Sequence, residues 1–299
     1  MKWREYTKNY ELYLMMALPL AYYAIFKYWP MYGVQIAFKN FNMAQGIWGS
    51  PWAGLKYFDK FFSYYNFGAI LGNTIWISLY AIAVGFFFPI VLALLLDEIR
   101  NLHFKKLIQN VTYVPHFLSG VVVVGMLINF TSIRGGLFNK IIELFGGHPV
   151  NFMIESQYFK TMYVFSDLWQ NMGWSAIIYL AALTGISPEL NEAAVVDGAS
   201  RFKRILHVKI PGLLPTIMIL LILRVGHLFN IGFERILLMQ NDANLSASDV
   251  IQTYIYRTGI LQGDFSYSTA VSVFNSLANF IILIAANYLA RKTSDSSLW

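Results

Sequence analysis

Six apolar blocks, each close to the length of a membrane span, dominate the sequence of 299 residues. They cover about 12–30, 70–96, 107–130, 161–183, 212–233 and 268–290. At 1.5 Å rise per residue, about 20 helical residues cross a hydrocarbon core ~30 Å thick. Inside that core each backbone N–H and C=O must be satisfied within the protein, which a helix does for itself. The blocks therefore predict an all-α integral membrane protein of about six transmembrane helices, with 1–299 forming one membrane domain. Only 13% of the residues are charged and 57% are hydrophobic, against roughly 25% charged in a soluble domain. That balance excludes a disordered chain, a disulfide-stapled module and a collagen-like chain. The sequence has no cysteine, so thiolate catalysis and cysteine-held metals are excluded too.

Basic residues set the orientation. The first block follows a leader with Lys2, Arg4 and Lys8, and no small-residue cleavage site comes after it. The bulky tract Trp29-Pro30-Met31-Tyr32-Gly33 instead suits a retained span. From there to about Asn66, aromatic and glycine residues suit an ordered interfacial loop with short helices. With both termini inside, segments 1–11, 97–106, 184–211 and 291–299 hold 12 Lys/Arg, and the outer segments 31–69, 131–160 and 234–267 hold 8 in nearly twice the length. The enrichment places both termini in the cytoplasm. The net charge of +6 is thus read as an orientation signal and not as a nucleic-acid footprint. Pro115 and Pro215 predict kinks in the third and fifth spans.

Between the fourth and fifth spans, residues 187–211 read as a helix–turn–helix bracket. Ser187 suits an N-cap, Pro188 the first helical position and Glu189 the first turn. A short helix then reaches Asp197, and Gly198 can supply a left-handed turn. A second amphipathic helix follows, with Phe202, Ile205 and Leu206 on one face and Arg201, Lys203 and Arg204 on another, ended by Pro211.

Glu192-Ala193-Ala194, three residues, Gly198, nine residues, Val208-Lys209-Ile210-Pro211 resembles the EAA loop of binding-protein-dependent ABC importer permeases, with Val208 and Ile210 as conservative departures. Pro30 to Lys39, Gly226-His227, Gly232-Phe233-Glu234-Arg235 and Asp249-Val250-Ile251 with Thr253-Tyr254 are similar to the branch that imports breakdown products of complex polysaccharides. The resemblance spans nearly the whole chain. It implies the type I importer permease fold, with a six-helix core shared with maltose-type permeases, in the bacterial cytoplasmic membrane. It further implies that Glu192, Ala193, Ala194, Asp197, Gly198 and Pro211 couple to an ATPase. The implied partners are a second homologous permease, two ATP-binding subunits that hold ATP and Mg, and an extracellular solute-binding protein, with an oligosaccharide as substrate.

No Gly-Lys-Ser or Gly-Lys-Thr occurs, so the chain lacks a phosphate-cradling P-loop and is read as a transport subunit, not an enzyme. No zinc-protease or nucleophile-elbow motif is present, and the five histidines are scattered. The alternative is an ion-coupled secondary transporter of a polar solute, although its usual internal repeats are not evident.

Polar stripes mark a candidate substrate pathway. Asp167, Gln170, Asn171 and Trp174 share one helical face, as do Ser268, Ser272, Asn275 and Asn279. Arg224, His227 and Asn230 follow at intervals of three in the fifth span. Asn and Gln can equally bond neighbouring helices. A charge within a span costs roughly 2.5–3.5 kcal/mol if unpaired, so Arg224 and Asp167 should each face a cavity or a partner, and can pair with one another.

Overall fold

The computed structural model describes residues 10–293; the leader with Lys2, Arg4 and Lys8 lies outside them. Helix α1 spans Tyr10–Tyr23 and continues through a π turn, Ala24–Tyr28, into a 3-10 stretch, Trp29–Phe38. The long helices that follow are α2 (Phe67–Glu98), α3 (Leu102–Tyr113), α4 (Gly120–Thr131) and α5 (Ser156–Thr184). Then come α6 (Pro188–Val196), α7 (Arg201–Gly226) and α8 (Phe265–Thr293). No strand forms among the described residues; an isolated antiparallel bridge joins Lys39 to Trp52.

By length and apolarity, α2, α7 and α8 can each cross a membrane, and α3 with α4 make a fourth candidate bent by 104°. The expected count of six is therefore not reached on those criteria. α5 has 29 residues but carries Asp167, Gln170 and Asn171 along its length. The first block is helical but changes winding at Ala24 and again at Trp29.

The third span is the clearest departure from a straight helix. Pro115 lies in a 3-10 turn, Val114–Phe117, and Leu118 is extended at φ −76°, ψ 142°. Ser119 then restarts the helix, its Oγ accepting from Val122 N at 3.3 Å. A proline without an N–H followed by a serine N-cap yields two helices where the apolar run alone suggests one.

Pro211 does not end a helix either. α7 runs on from Arg201 through a π turn at Ile205–Lys209, in which Ile210 N bonds Ile205 O. A proline ring clashes with the carbonyl four residues back, here His207. The wider π winding at that residue is where the helix accommodates it.

The chain divides into two compact units. One comprises Met1–Tyr65 and Ile255–Phe274. In it α1 buries none of its residues, and Phe61 packs edge-on to Phe274 with ring centroids 5.4 Å apart. Ser266 Oγ donates to Lys39 O at 2.7 Å and accepts from Phe41 N at 2.9 Å. The other unit comprises Asn66–Tyr254 and Asn275–Trp299. Its core includes a cluster around Ile77, Val124, Tyr163, Val164 and Ile236 and another around Ala93, Ala176, Tyr179 and Leu213. α2 and α5 pack along each other through both. α3 meets α5 at Gly173, where a Cβ would lie 2.2 Å from the Thr112 carbonyl oxygen; only a residue without a side chain permits that approach.

Candidate functional site: a broken helix around a polar cavity

The fifth apolar block runs to Phe233, yet α7 stops at Gly226 and His227 leaves helical geometry at φ −108°, ψ 23°. Residues 227–232 form an irregular segment whose backbone groups need partners from elsewhere. Side chains from three other helices supply them. Ser78 Oγ of α2 donates to Leu228 O. Asn279 Oδ1 of α8 accepts from Phe229 N at 2.9 Å, and Tyr163 OH of α5 accepts from Gly232 N at 3.0 Å. Asn230 Oδ1 accepts from Asn275 Nδ2 and from Gln252 Nε2, each at 3.1 Å. At membrane depth, non-helical backbone is tolerated where protein buries it or where it lines a water-filled cavity.

Such a cavity is present. It measures ≈410 Å³ and is lined by α2, α5, the end of α7 and the irregular segment. Asp167, Asn171, Trp174, Arg224, His227 and Asn230 all line it. Gln170, Asn275 and Asn279 do not; they are buried and hold its walls. The i, i+3 reading that set Arg224, His227 and Asn230 on one helical stripe is corrected, because the helix ends between the first two.

Asp167 and Arg224 do not pair. Asp167 Oδ1 lies 3.3 Å from Arg235 Nη1, and Arg235 also donates to Gln170 Oε1 and, at 3.4 Å, to Ser166 Oγ. Gln170 Nε2 donates onward to Leu118 O at 2.6 Å, at the bend between α3 and α4. On the cavity side, Asn171 Nδ2 donates to Asp167 Oδ1 at 2.9 Å. That leaves Asn171 Oδ1 to face His116 Nδ1, also at 2.9 Å, an arrangement in which Nδ1 is the donor. The same ring stacks on Trp174, centroids 4.5 Å apart and planes within 6°. Arg235, His116 and Tyr163 thus join the site, although the polar stripes of the sequence included none of them. Arg235 falls in the outer segment 234–267, two residues past the end of the fifth apolar block.

Arg224 is left free. Its guanidinium has no hydrogen-bond or ion-pair partner among the described residues, and it sits in the last turn of α7, where the helix dipole favours a cation. Its Nη2 rests 3.1 Å from where a Cβ on Gly85 would be. The cavity therefore presents an available planar donor, part of the Trp174 indole and a carboxylate already paired with Arg235.

The bracket at 187–211 is built as its sequence suggests, apart from its first cap and the continuation of its second helix through Pro211. Pro188 opens α6, but the Ser187 hydroxyl makes no cap bond. Gly198 has φ +75° with open space where a Cβ would be, and Ser200 caps the next helix by accepting from Lys203 N at 3.4 Å. Glu192, Ala193, Asp197, Gly198 and Pro211 are exposed, and Ala194 is half-buried. Val196 is 87% and Phe202 72% exposed, an apolar face with no cover among the described residues. Lys209 ties the bracket to the end of α2, its Nζ 2.6 Å from Asp97 Oδ2 and bonded to Glu98.

Membrane-length helices, one of them broken around a polar cavity, and an uncovered helical bracket define a transport component of a membrane. The chain belongs to the family of binding-protein-dependent transport system inner membrane components, whose model matches residues 85–295. Among relatives, it is 41% identical over 96% of its length, and 90% of the other's, to the polygalacturonan/rhamnogalacturonan transport system permease protein YteP of Bacillus subtilis. It is 42% identical to Protein LplB of the same organism, over 96% of this chain and 91% of that one. Among solved structures, it matches a bacterial ABC transporter that imports the acidic polysaccharide alginate with a TM-score of 0.90 and 34% identity, over 97% of this chain and 98% of that one. The alginate transporter in complex with a periplasmic protein bound to an alginate pentasaccharide matches with a TM-score of 0.91 and 33% identity, over 99% of both chains. The fold is thus that of an ABC importer permease, and the ion-coupled alternative has no support.

Proposed function

We propose that this chain is the permease subunit that passes acidic oligosaccharides, fragments of uronate-bearing polysaccharides, through the cavity at the end of α7. The observation that carries the reading is the unpartnered guanidinium of Arg224 beside a carboxylate that Arg235 already neutralises. A uronate carboxylate fits a planar two-pronged donor, and a pyranose ring fits against the Trp174 indole where it lines the cavity. Both named relatives with known cargo, for polygalacturonan/rhamnogalacturonan and for alginate, handle chains of acidic sugars.

Energy enters through the bracket. Glu192, Ala193, Ala194, Asp197, Gly198 and Pro211 dock into one of two ATP-binding subunits, which hold ATP and Mg, and no residue of this chain is assigned to either. A second homologous permease completes the membrane part, an extracellular solute-binding protein delivers the sugar, and both termini lie in the cytoplasm. The test is uptake by the reconstituted importer. Oligogalacturonate should be taken up with ATP hydrolysis, a neutral oligosaccharide of equal length far more slowly, and Arg224→Gln should erase that preference. Equal uptake of both sugars, or a preference unchanged in Arg224→Gln, would overturn the acidic-substrate reading. Hydrolysis of ATP by this chain alone would overturn the division of labour.

A further inference from the structure

A second cavity, of ≈350 Å³, opens where three helices end. Asp97 and Glu98 close α2, Leu183 lies in the last turn of α5, and Arg201, Arg204 and Lys209 belong to the start of α7. Its charged lining is four cations, Arg100, Arg201, Arg204 and Lys209, against two carboxylates, Asp97 and Glu98. Lys209 engages both carboxylates. The three arginines have no ion-pair partner among the described residues. Arg204 donates Nη1 to Asn191 Oδ1 at 3.1 Å, but its Nε is buried and has no hydrogen-bond partner. Ser187 and Pro188, also in the lining, open the nine-residue helix α6 without a side-chain cap, so its first-turn amides add to the positive field.

We infer that this cavity is a binding site for a phosphate group, which the phosphodiester of an anionic lipid or free phosphate can supply. Guanidinium groups match phosphate oxygens through paired donors, and a buried orphan Nε is a donor awaiting an acceptor. The cavity lies where α2 and α5 end and α7 begins, which the proposed orientation turns toward the cytoplasmic headgroups. Basic pockets between transmembrane helices on the cytoplasmic side are where anionic headgroups bind. The cytoplasmic placement rests on the orientation given under the proposed function. A phosphate there would bridge the end of α2 to the start of α7, alongside the Lys209 tie, and would brace the bracket that meets the ATPase.

The test uses the assembled importer in nanodiscs of phosphatidylcholine doped with phosphatidylglycerol, read by native mass spectrometry, with inorganic phosphate as the second probe. The variant is Arg100→Gln with Arg201→Gln, both exposed side chains without ion-pair partners among the described residues, so the fold is spared. Retention of phosphatidylglycerol by wild type, weakened about 30-fold in the variant, supports the site with lipid as the source; that factor corresponds to two arginines at about 1 kcal/mol each. Phosphate binding lost in the variant, without lipid retention, supports it with free phosphate as the source. Equal binding in wild type and variant overturns it. So does binding to the separated permease that vanishes on assembly, since a partner's side chain would then fill the cavity. A complex that assembles and hydrolyses ATP normally yet binds neither probe overturns this inference and leaves the proposed function standing.

Discussion

Asp167 gives its carboxylate to Arg235 at 3.3 Å and leaves Arg224 to the cavity. The two arginines therefore predict opposite phenotypes. Arg235 is 8% exposed and also holds Gln170 and Ser166, so Arg235→Gln strands a carboxylate and breaks a network. Breaking a buried pair costs about 3–5 kcal/mol, and the partial exposure of Asp167 moves the expectation to about 2–3 kcal/mol. Thermal unfolding of the purified importer should register that loss for Arg235→Gln and almost none for Arg224→Gln. Adding Asp167→Asn to Arg235→Gln should recover part of it. An Arg235→Gln importer that melts like wild type would remove the pair from the structural framework.

Gly85 offers a way to move Arg224 without touching it. A methyl group at Gly85 would meet Nη2 of Arg224 at 3.1 Å, the far end of a flexible side chain. In mid-helix, alanine is favoured over glycine by about 1 kcal/mol. Gly85→Ala should leave melting unchanged or slightly raised while acidic-sugar uptake falls about tenfold, as expected for one misplaced charge-assisted hydrogen bond of about 1.5 kcal/mol. Unchanged uptake would show that the seat of the guanidinium does not matter.

What the sequence revealed and what it hid divide along a physical line. The apolar blocks and the left-handed turn at Gly198 follow from local chemistry: the cost of bare backbone in lipid, and a glycine where φ is positive. The end of α7 does not. Val225-Gly226-His227-Leu228-Phe229 stays mostly apolar, and its broken backbone is tolerated only because Ser78, Tyr163 and Asn279, all distant in sequence, supply partners. The flanking glycines, Gly226 and Gly232, were the available signal of a helix end and a restart. The Asp167–Arg235 pair was hidden because a hydropathy window ends before Arg235. The stripe on α5 was legible as polar, but its division into lining (Asp167, Asn171, Trp174) and wall (Gln170) depends on which way α3 bends at Leu118. That is a tertiary fact.

The approach of α3 to α5 yields a stability prediction. Gly173→Ala would place a methyl 2.2 Å from a backbone carbonyl oxygen of Thr112, and 2.9 Å from its Cβ. Backbone cannot yield as a side-chain tip does, so the cost should reach the upper part of the overpacking range, about 3 kcal/mol. Because α3 leads into the bend at Leu118 and His116 stacks on Trp174, the shift should also reach the cavity. Reduced melting together with weakened sugar uptake is expected. A variant that melts and transports like wild type would mean the helices separate at no cost.

The turn at Gly198 isolates coupling from folding. Its φ of +75° is strained for most side chains, although nothing lies within 4 Å of a built Cβ. The left-handed region costs an ordinary residue roughly 1–2 kcal/mol, more when β-branched, while asparagine enters it readily. Gly198→Val should therefore swing α6 relative to the start of α7 and disturb the exposed face of Val196 and Phe202, with membrane insertion intact. Gly198→Asn should keep the turn. If the bracket seats the ATPase, the valine variant loses assembly and sugar-stimulated ATP hydrolysis and the asparagine variant keeps most of both, which separates backbone geometry from loss of the glycine itself. Equal loss in the two would mean that close approach of the partner, not the turn, demands glycine here. Wild-type hydrolysis in the valine variant would remove the bracket from the coupling path altogether.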